Sequence, residues 1–217
     1  MARRTKQEAQ ETRAQIIDAA ELCFSSKGVT HTSLAEIAKR AGVSRGAIYW
    51  HFLNKDEVFE AMLQRARTPL QHLEEATRDI DQPAPLDRLR ELIAEILRQT
   101  ERDPATRRIN EIVFHKCEFT DQMCDLRENM RTMRRASLDK LEGALRNAVE
   151  KQQLPPALDI PVAARCIQAQ LIGTLDTWLL RPEDYSLADQ AERLADIILD
   201  TLRYSPAMLQ EQAAGAK

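Results

Sequence analysis

Residues 32 to 52, Thr32-Ser33-Leu34-Ala35-Glu36-Ile37-Ala38-Lys39-Arg40-Ala41-Gly42-Val43-Ser44-Arg45-Gly46-Ala47-Ile48-Tyr49-Trp50-His51-Phe52, constrain the fold more than any other stretch of this chain. They read as two short helices folded across a glycine turn. Ser33 stands at a cap position, and Glu36, three residues on, can reach back to the cap's own amide, which is the capping-box arrangement. Leu34, Ile37, Ala38 and Ala41 then form one apolar stripe at helical spacing. Gly42 ends that helix because it tolerates positive φ, Val43 plugs the turn and Ser44 caps the next helix. The second helix is expected from about Arg45 to His51. Arg45, Tyr49, Trp50 and His51 bring donors or aromatic rings, and Gly46 and Ala47 are small enough to let the backbone approach a groove wall. Base edges require donors and thymine methyls an apolar neighbour, so the pattern points to a helix-turn-helix on double-stranded DNA. The alternative, a helical hairpin with its aromatics in the core, leaves the basic surroundings unexplained.

Charge is informative once it is split along the chain. Residues 1 to 55 hold nine Lys and Arg against five Asp and Glu, whereas the whole chain of 217 residues holds 31 against 34. A basic head on an acidic body steers one end toward phosphate, so the acidic total is no objection to DNA binding. The length suffices for a real core, glycine is scarce and apolar periodic segments run throughout, which predicts an all-α protein. No stretch approaches the ~20 apolar residues of a membrane span, and the first residues form no signal core. The expectation is a cytoplasmic protein without a membrane partner.

The first helix is predicted from Lys6 or Gln7 to about Lys27, burying Ile16, Ile17, Ala20, Cys23 and Phe24 and stopping at Gly28. Asn54 followed by Glu57 reads as a second capping box, opening a helix from Lys55 through the seventies. Asp81-Gln82-Pro83-Ala84-Pro85 is the clearest break. Beyond it come the stripe Leu86, Leu89, Leu92, Ile93, Ile96, Leu97, a helix after Asp103-Pro104, and a charged helix from about Thr120 to Gln152 that ends at Leu154-Pro155-Pro156. Two last helices span roughly Ile160 to Leu180 and Leu187 to Tyr204. About nine helices result, arranged as a DNA-binding domain over 1–55, a helical body over 56–205 and a flexible tail over 206–217.

The helix-turn-helix segment, with Ala2-Arg3-Arg4-Thr5-Lys6 before it and Phe52-Leu53-Asn54-Lys55 after it, resembles the DNA-binding domain of TetR-family transcriptional regulators. Arg3-Arg4-Thr5-Lys6, Glu8-Ala9-Gln10-Glu11-Thr12-Arg13, Arg45-Gly46-Ala47-Ile48-Tyr49-Trp50-His51-Phe52 and the distant Phe114-His115-Lys116-Cys117-Glu118-Phe119 are similar to the branch that includes AcrR and TtgR, repressors of multidrug efflux pumps. The resemblance implies a homodimeric repressor that binds operator DNA of an efflux operon and is released by small hydrophobic or aromatic ligands. In that reading the arm Arg3, Arg4 and Lys6, with Ser33, Tyr49, His51 and Lys55, holds phosphates. Ser44 caps the reading helix, Arg45, Gly46 and Ala47 face bases, and Trp50 packs at the edge of the head.

Leu187, Ala191, Leu194, Ile198 and Leu202, and Ala164, Ile167, Leu171, Leu175 and Trp178, recur at helical spacing on the last two helices. They serve either the monomer's core or a four-helix interface between two copies, and the resemblance implies the interface. An effector cavity would be lined by Leu89, Leu92, Ile93, Ile96, Leu141, Leu171, Ile172 and Leu175, with Asn110, Phe114, Ser137 and Gln168 interspersed. Periodicity alone favours close-packed core for these residues; the resemblance places them at ligand-lining positions. Ile172 stands where related regulators have an acid, Gln168 where they have an aromatic and Arg134 where they have an apolar residue, which implies a different or narrower ligand spectrum.

Glu111 and His115 lie one helical turn apart, but two adjacent ligands do not complete a metal site, and a hydrogen-bonded histidine is the simpler reading. Cys23, Cys117, Cys124 and Cys166 are scattered singly and read as small apolar residues. No phosphate loop or nucleophile elbow is present, so no catalytic residue, metal or cofactor is assigned. The competing functional reading is a helix-turn-helix regulator without a small-molecule inducer, controlled by abundance or by a protein partner.

Overall fold

The computed structural model describes residues 6–117 and 124–210, with backbone alone for 124–126. Among these residues the fold is all-α, without a strand, and its helices are α1 (Lys6–Lys27), α2 (Leu34–Ala41), α3 (Arg45–His51), α4 (Lys55–Arg67), α5 (Gln71–Arg78), α6 (Pro85–Arg102), α7 (Pro104–His115), α8 (Cys124–Glu150), α9 (Ile160–Leu180) and α10 (Leu187–Tyr204). They form two compact units, Met1–Thr68 with Pro104–Asn129, and Pro69–Asp103 with Met130–Lys217. The chain therefore crosses between units at residues 68, 103 and 129, a different division from the expected cut at residue 55.

In the first unit α1 packs on α2, α4 and α7, and α4 also packs on α7. Ile16, Ile17, Ala20, Cys23 and Phe24 of α1 are buried as expected. Phe24 meets Phe59 of α4 edge to face, with ring centroids 6.0 Å apart, a favoured geometry for aromatic pairs. Glu21 is a buried carboxylate. Arg65 of α4 approaches it at 3.4 Å and Arg108 of α7 at 3.5 Å, so one charge ties three helices together. Gly28 ends α1 at φ 79°, and its amide donates to Phe24 at 2.8 Å.

The single helix expected from Lys55 through the seventies is interrupted. Residues Thr68–Leu70 form a 3-10 turn between α4 and α5. Pro69 has no amide to continue the ladder and crowds the preceding turn, while the Thr68 hydroxyl donates to the Gln64 carbonyl at 2.8 Å.

In the second unit α6 packs on α5 and α10, and α10 on α9. Leu86, Leu89, Ile93 and Leu97 of α6 are buried, as are Leu187, Ala191, Ile198 and Leu202 of α10. Glu101 at the end of α6 accepts from the Ser186 hydroxyl at 3.1 Å and the Ala188 amide at 2.5 Å, placing negative charge at the N-terminus of α10. Asn147 of α8 donates to the Asp79 carbonyl at 2.7 Å, fastening the chain beyond α5.

Two sequence expectations change here. Most of the residues in the stripes assigned to a contact between copies are core: Ala164, Ile167, Leu175, Trp178, Leu187, Ala191, Ile198 and Leu202 are buried within the single chain, while Leu171 and Leu194 are half-buried. Periodicity reports that a helix has a buried face, not which molecule buries it. Residues 206–210 are also not a loose tail. Pro206–Met208 is a 3-10 turn with Met208 buried. Asp159 donates to the Met208 carbonyl and Gln210 to that of Ala157, both at 2.8 Å. The remaining tail lies outside the described residues, as does the expected start of α8 near Thr120.

Candidate nucleic-acid and effector sites

The helix-turn-helix is set by local chemistry. Ser33 Oγ accepts from the Glu36 amide at 3.3 Å, and Glu36 Oε2 accepts from the Ser33 amide at 3.0 Å, which completes the capping box. Glu36 also pairs with Lys27 at the end of α1. These contacts hold its carboxyl down at about 2, the Lys27 ammonium contributing most. Gly42 closes α2 at φ 68° in the left-handed region. The Val43 amide then donates back to Ala38 at 3.0 Å, and Ser44 Oγ accepts from the Ala47 amide at 3.1 Å to start α3.

One face of α3 is anchored and the other is open. Ile48 is fully buried and Phe52 nearly so, with the Arg13 guanidinium 4.9 Å over the Phe52 ring. Arg45, Gly46, Tyr49 and Trp50 are exposed, and Ala47 and His51 are half-buried. Arg45 lies 6.0 Å from the centroid of the Tyr49 ring. Trp50 does not pack at the edge of the head: it is 70% exposed and touches the His51 ring edge to face. With Ile48 as the anchor, residue 50 is turned outward by the helical period. Leu53, just beyond α3, is 75% exposed and was missed by sequence reasoning. Ser33, Ser44 and Lys6 are exposed, while Arg3 and Arg4 lie outside the described residues.

Lys55 occupies a different environment from a free surface lysine. It is half-buried, and its Nζ donates to the carbonyls of Val29 at 2.6 Å and Thr30 at 3.2 Å. Burial lowers its pKa from the ordinary lysine value. The Val29 amide in turn donates to the Lys116 carbonyl at 3.1 Å, just past α7. Cys117 beside it is half-buried, and desolvation pushes its thiol up to about 11, so it is poorly nucleophilic. The second capping box is offset by one residue: Asn54 caps the Glu57 amide at 2.9 Å, but the Glu57 carboxylate takes the Leu53 amide at 2.8 Å.

Of the effector-assigned residues, Asn110 and Phe114 are half-buried on α7 in the first unit, and the others belong to the second. There Leu89, Leu92, Ile93 and Leu175 are buried, and Ile96, Ser137, Leu141, Gln168, Leu171 and Ile172 are half-buried on α6, α8 and α9. Gln168 Nε2 donates to the Arg134 carbonyl at 3.3 Å, tying α9 to α8. Elsewhere, Glu111 accepts from Arg107 at 3.2 Å, and among the described residues no three His, Cys, Asp or Glu side chains converge as a metal site.

Residues 16–62 match the family described as bacterial regulatory proteins, tetR family, and residues 84–204 match the MAATS-type transcriptional repressor, C-terminal region. The chain is 47% identical over 211 residues to the HTH-type transcriptional regulator TtgR of Pseudomonas putida, covering 96% of this chain and 99% of that one. It is also similar to NalD, the secondary repressor of the MexAB-OprM multidrug efflux pump in Pseudomonas aeruginosa, at 32% identity and TM-score 0.78 over 92% of this chain and 100% of that one. The SmeT–triclosan complex matches at 32% identity and TM-score 0.80, over 96% and 99% of the two chains; SmeT represses the Stenotrophomonas maltophilia multidrug efflux pump SmeDEF. An exposed reading helix on a capped glycine turn, two family matches along most of the chain and close relatives that are transcriptional regulators lead to one conclusion: this chain belongs to the TetR family of transcriptional regulators.

Proposed function

We propose that the chain acts as a homodimeric repressor that holds the operator of a multidrug efflux operon and releases it when a hydrophobic or aromatic drug-like ligand enters the second unit. The observation that carries the reading is the outward face of α3, where Arg45, Gly46, Tyr49 and Trp50 are exposed around a buried Ile48. Arg45 and the small residues Gly46 and Ala47 suit base edges, and Ser33, Tyr49, His51 and Lys55 with the arm Arg3, Arg4 and Lys6 suit phosphates. Lys55 has two of its three donors on backbone carbonyls, which leaves one for a phosphate.

The efflux assignment rests on the named targets of NalD and SmeT, and the ligand on the SmeT–triclosan complex. Half-burial of Ile96, Leu141, Leu171 and Ile172 supports space beside the core. A second copy is best received on the outer face of α9 and α10. Ala169, Gly173, Thr177 and Leu180 are exposed on α9 at helical spacing, and Ile197 and Tyr204 are 52% and 75% exposed on α10. Small residues on one helix and large apolar ones on its neighbour suit close packing across a two-fold axis. No helix among the described residues is long and apolar enough to cross a membrane.

A ligand can release the operator only through its differential affinity for the two states, commonly about 1 to 3 kcal/mol. The test is fluorescence anisotropy of a duplex from upstream of the chain's own gene, at fixed salt with excess random DNA, with and without planar aromatic antibiotics and dyes. Tight binding relieved by some ligands is expected. Tight binding indifferent to every ligand that the protein itself takes up would favour control by abundance or a protein partner.

A further inference from the structure

We infer that a recess between the α1–α2 turn and the end of α7 receives a phosphate group, held by Lys116 with the imidazoles of His31 and His115. The recess has a volume of about 270 Å³, and all its walls belong to the first unit. Ser26, Lys27, Thr30 and His31 line one side, and His115 and Lys116 the other. Main-chain bonds hold the two sides together: the Val29 amide donates to the Lys116 carbonyl at 3.1 Å. The Thr32 hydroxyl donates to the Gly28 carbonyl at 2.8 Å, and Lys55 of α4 holds the Val29 and Thr30 carbonyls. A recess with its backbone fixed in this way loses little freedom when a ligand enters.

The lining selects the chemistry of the ligand. It presents two ammoniums and two imidazoles and no carboxylate. Glu36, the acid paired with Lys27, is also occupied by the Ser33 amide and hydroxyl, both at 3.0 Å. One bond to Glu36 leaves Lys27 two further donors, and the Lys116 ammonium brings three. The carbonyl ends of α1 and α7 reach the same recess with the negative ends of their dipoles. That field is blunted, because the Phe24 carbonyl takes the Gly28 amide at 2.8 Å and the Ile112 carbonyl the Lys116 amide at 3.0 Å. Two imidazoles leave a metal site incomplete, and adjacent ammoniums repel a cation. A phosphate suits the set, since its oxygens accept from ammoniums and an imidazole either donates to it or accepts its remaining proton. His31 and Lys116 are exposed and His115 is half-buried, so the phosphate arrives either free in solution or on the backbone of bound DNA.

The chain has four histidines, His31, His51, His72 and His115, and their ring resonances in the full-length protein supply the readout. The protein is titrated with sodium phosphate at pH 7 and constant ionic strength, and separately with the duplex from upstream of its own gene. A site for free phosphate moves His31 and His115 along one saturating curve and leaves His72, in the second unit, in place. Lys116→Gln then weakens that curve about tenfold or more, the loss expected for one charge-assisted hydrogen bond, and Lys116→Arg retains most of the binding. A seat for DNA phosphate leaves both rings unmoved by inorganic phosphate and moves them with the duplex, and Lys116→Gln lowers the salt slope of DNA binding by about one. Either pattern supports the seat and names its source. His31 and His115 still under both titrations, or drifting in step with His51 and His72 without saturating, overturn it. So does a folded Lys116→Gln protein with its phosphate curve and its salt slope both unchanged. The phosphate titration is read without DNA, so its result stands whatever becomes of the operator reading.

Discussion

Lys55 Nζ donates to the Val29 carbonyl at 2.6 Å, across 26 residues of sequence. With the second bond to Thr30, this lysine clamps the turn between α1 and α2 as well as standing beside the proposed DNA surface. Lys55→Ala should therefore lower unfolding stability by about 1.5–3 kcal/mol, the usual range for a hydrogen bond to a charged group. It should also weaken specific and random DNA alike and reduce the salt slope by about one. Urea unfolding and a salt series of binding isotherms separate the two effects. A stability loss with an unchanged slope would make Lys55 a clamp alone.

Arg45 and Trp50 are expected to divide affinity differently. Arg45→Ala should cost roughly 1–3 kcal/mol on the cognate site and relax sequence choice at one base position. Trp50→Ala removes a ring that is 70% exposed, so stability should stay within about 0.5 kcal/mol while operator affinity falls. Competition binding against single-base operator variants, beside thermal unfolding of each protein, checks both. A Trp50→Ala protein that unfolds much earlier yet binds DNA normally would assign the ring to packing.

Glu36 has a carboxyl held at about 2 by Lys27 and Ser33, below the usual value for glutamate. The folded state therefore prefers the ionised form. The stabilisation is complete above the unfolded pKa and is lost as pH falls from about 4.5 toward about 2. Glu36→Gln should flatten this part of the stability–pH curve. NMR titration of the Glu36 side chain in the folded protein reads the shift directly, and a midpoint near 4.5 would show that the capping box does not hold the charge.

Glu21 is buried between Arg65 and Arg108. Breaking a fully buried pair costs several kcal/mol. Both arginines here stay in partial contact with water, with side chains 44% and 34% exposed, so Glu21→Ala should cost less, about 1–3 kcal/mol. A double-mutant cycle with Arg65→Ala by urea unfolding should show non-additivity. Strict additivity would mean that the carboxylate does not couple α1 to α4.

Gly173 offers a clean probe of self-association. A Cβ built there meets nothing within 4 Å, so the single chain accommodates Gly173→Leu, and helix propensity improves by about 1 kcal/mol. If α9 and α10 meet their copies, the added side chain should shift sedimentation from dimer toward monomer without unfolding the chain. An unaltered dimer would move the interface elsewhere.

Short-range chemistry was legible from the residues alone. Ser33 with Glu36, Gly42 and Ser44 are local signals whose partners lie within a turn or two, and they form the contacts that their spacing implies. The Pro69 break was also written in the sequence, since proline interrupts a helix wherever it falls inside one. Lys55 with Val29 and Glu21 with Arg65 and Arg108 were not legible, because they join positions far apart in the chain whose approach only the packing decides. The same limit explains the misassigned stripes on α9 and α10: Leu187, Ala191 and Trp178 have the spacing of a buried face, and the outward Ala169 and Gly173 carry too little hydrophobicity to announce a contact.

The Val29 amide rests on the Lys116 carbonyl, and a Cβ on Gly28 would stand 3.2 Å from that same oxygen. The reading head is thus completed by a segment encoded some ninety residues downstream. A gene fragment that ends after α4 leaves part of this head behind. Exchanging operator preference between relatives by recombining their first 55 codons would then set one protein's turn against another protein's α7. Such hybrids should become viable when residues 104–117 travel with the amino-terminal exchange, which makes these two stretches of the gene, distant on the map, a single unit of inheritance.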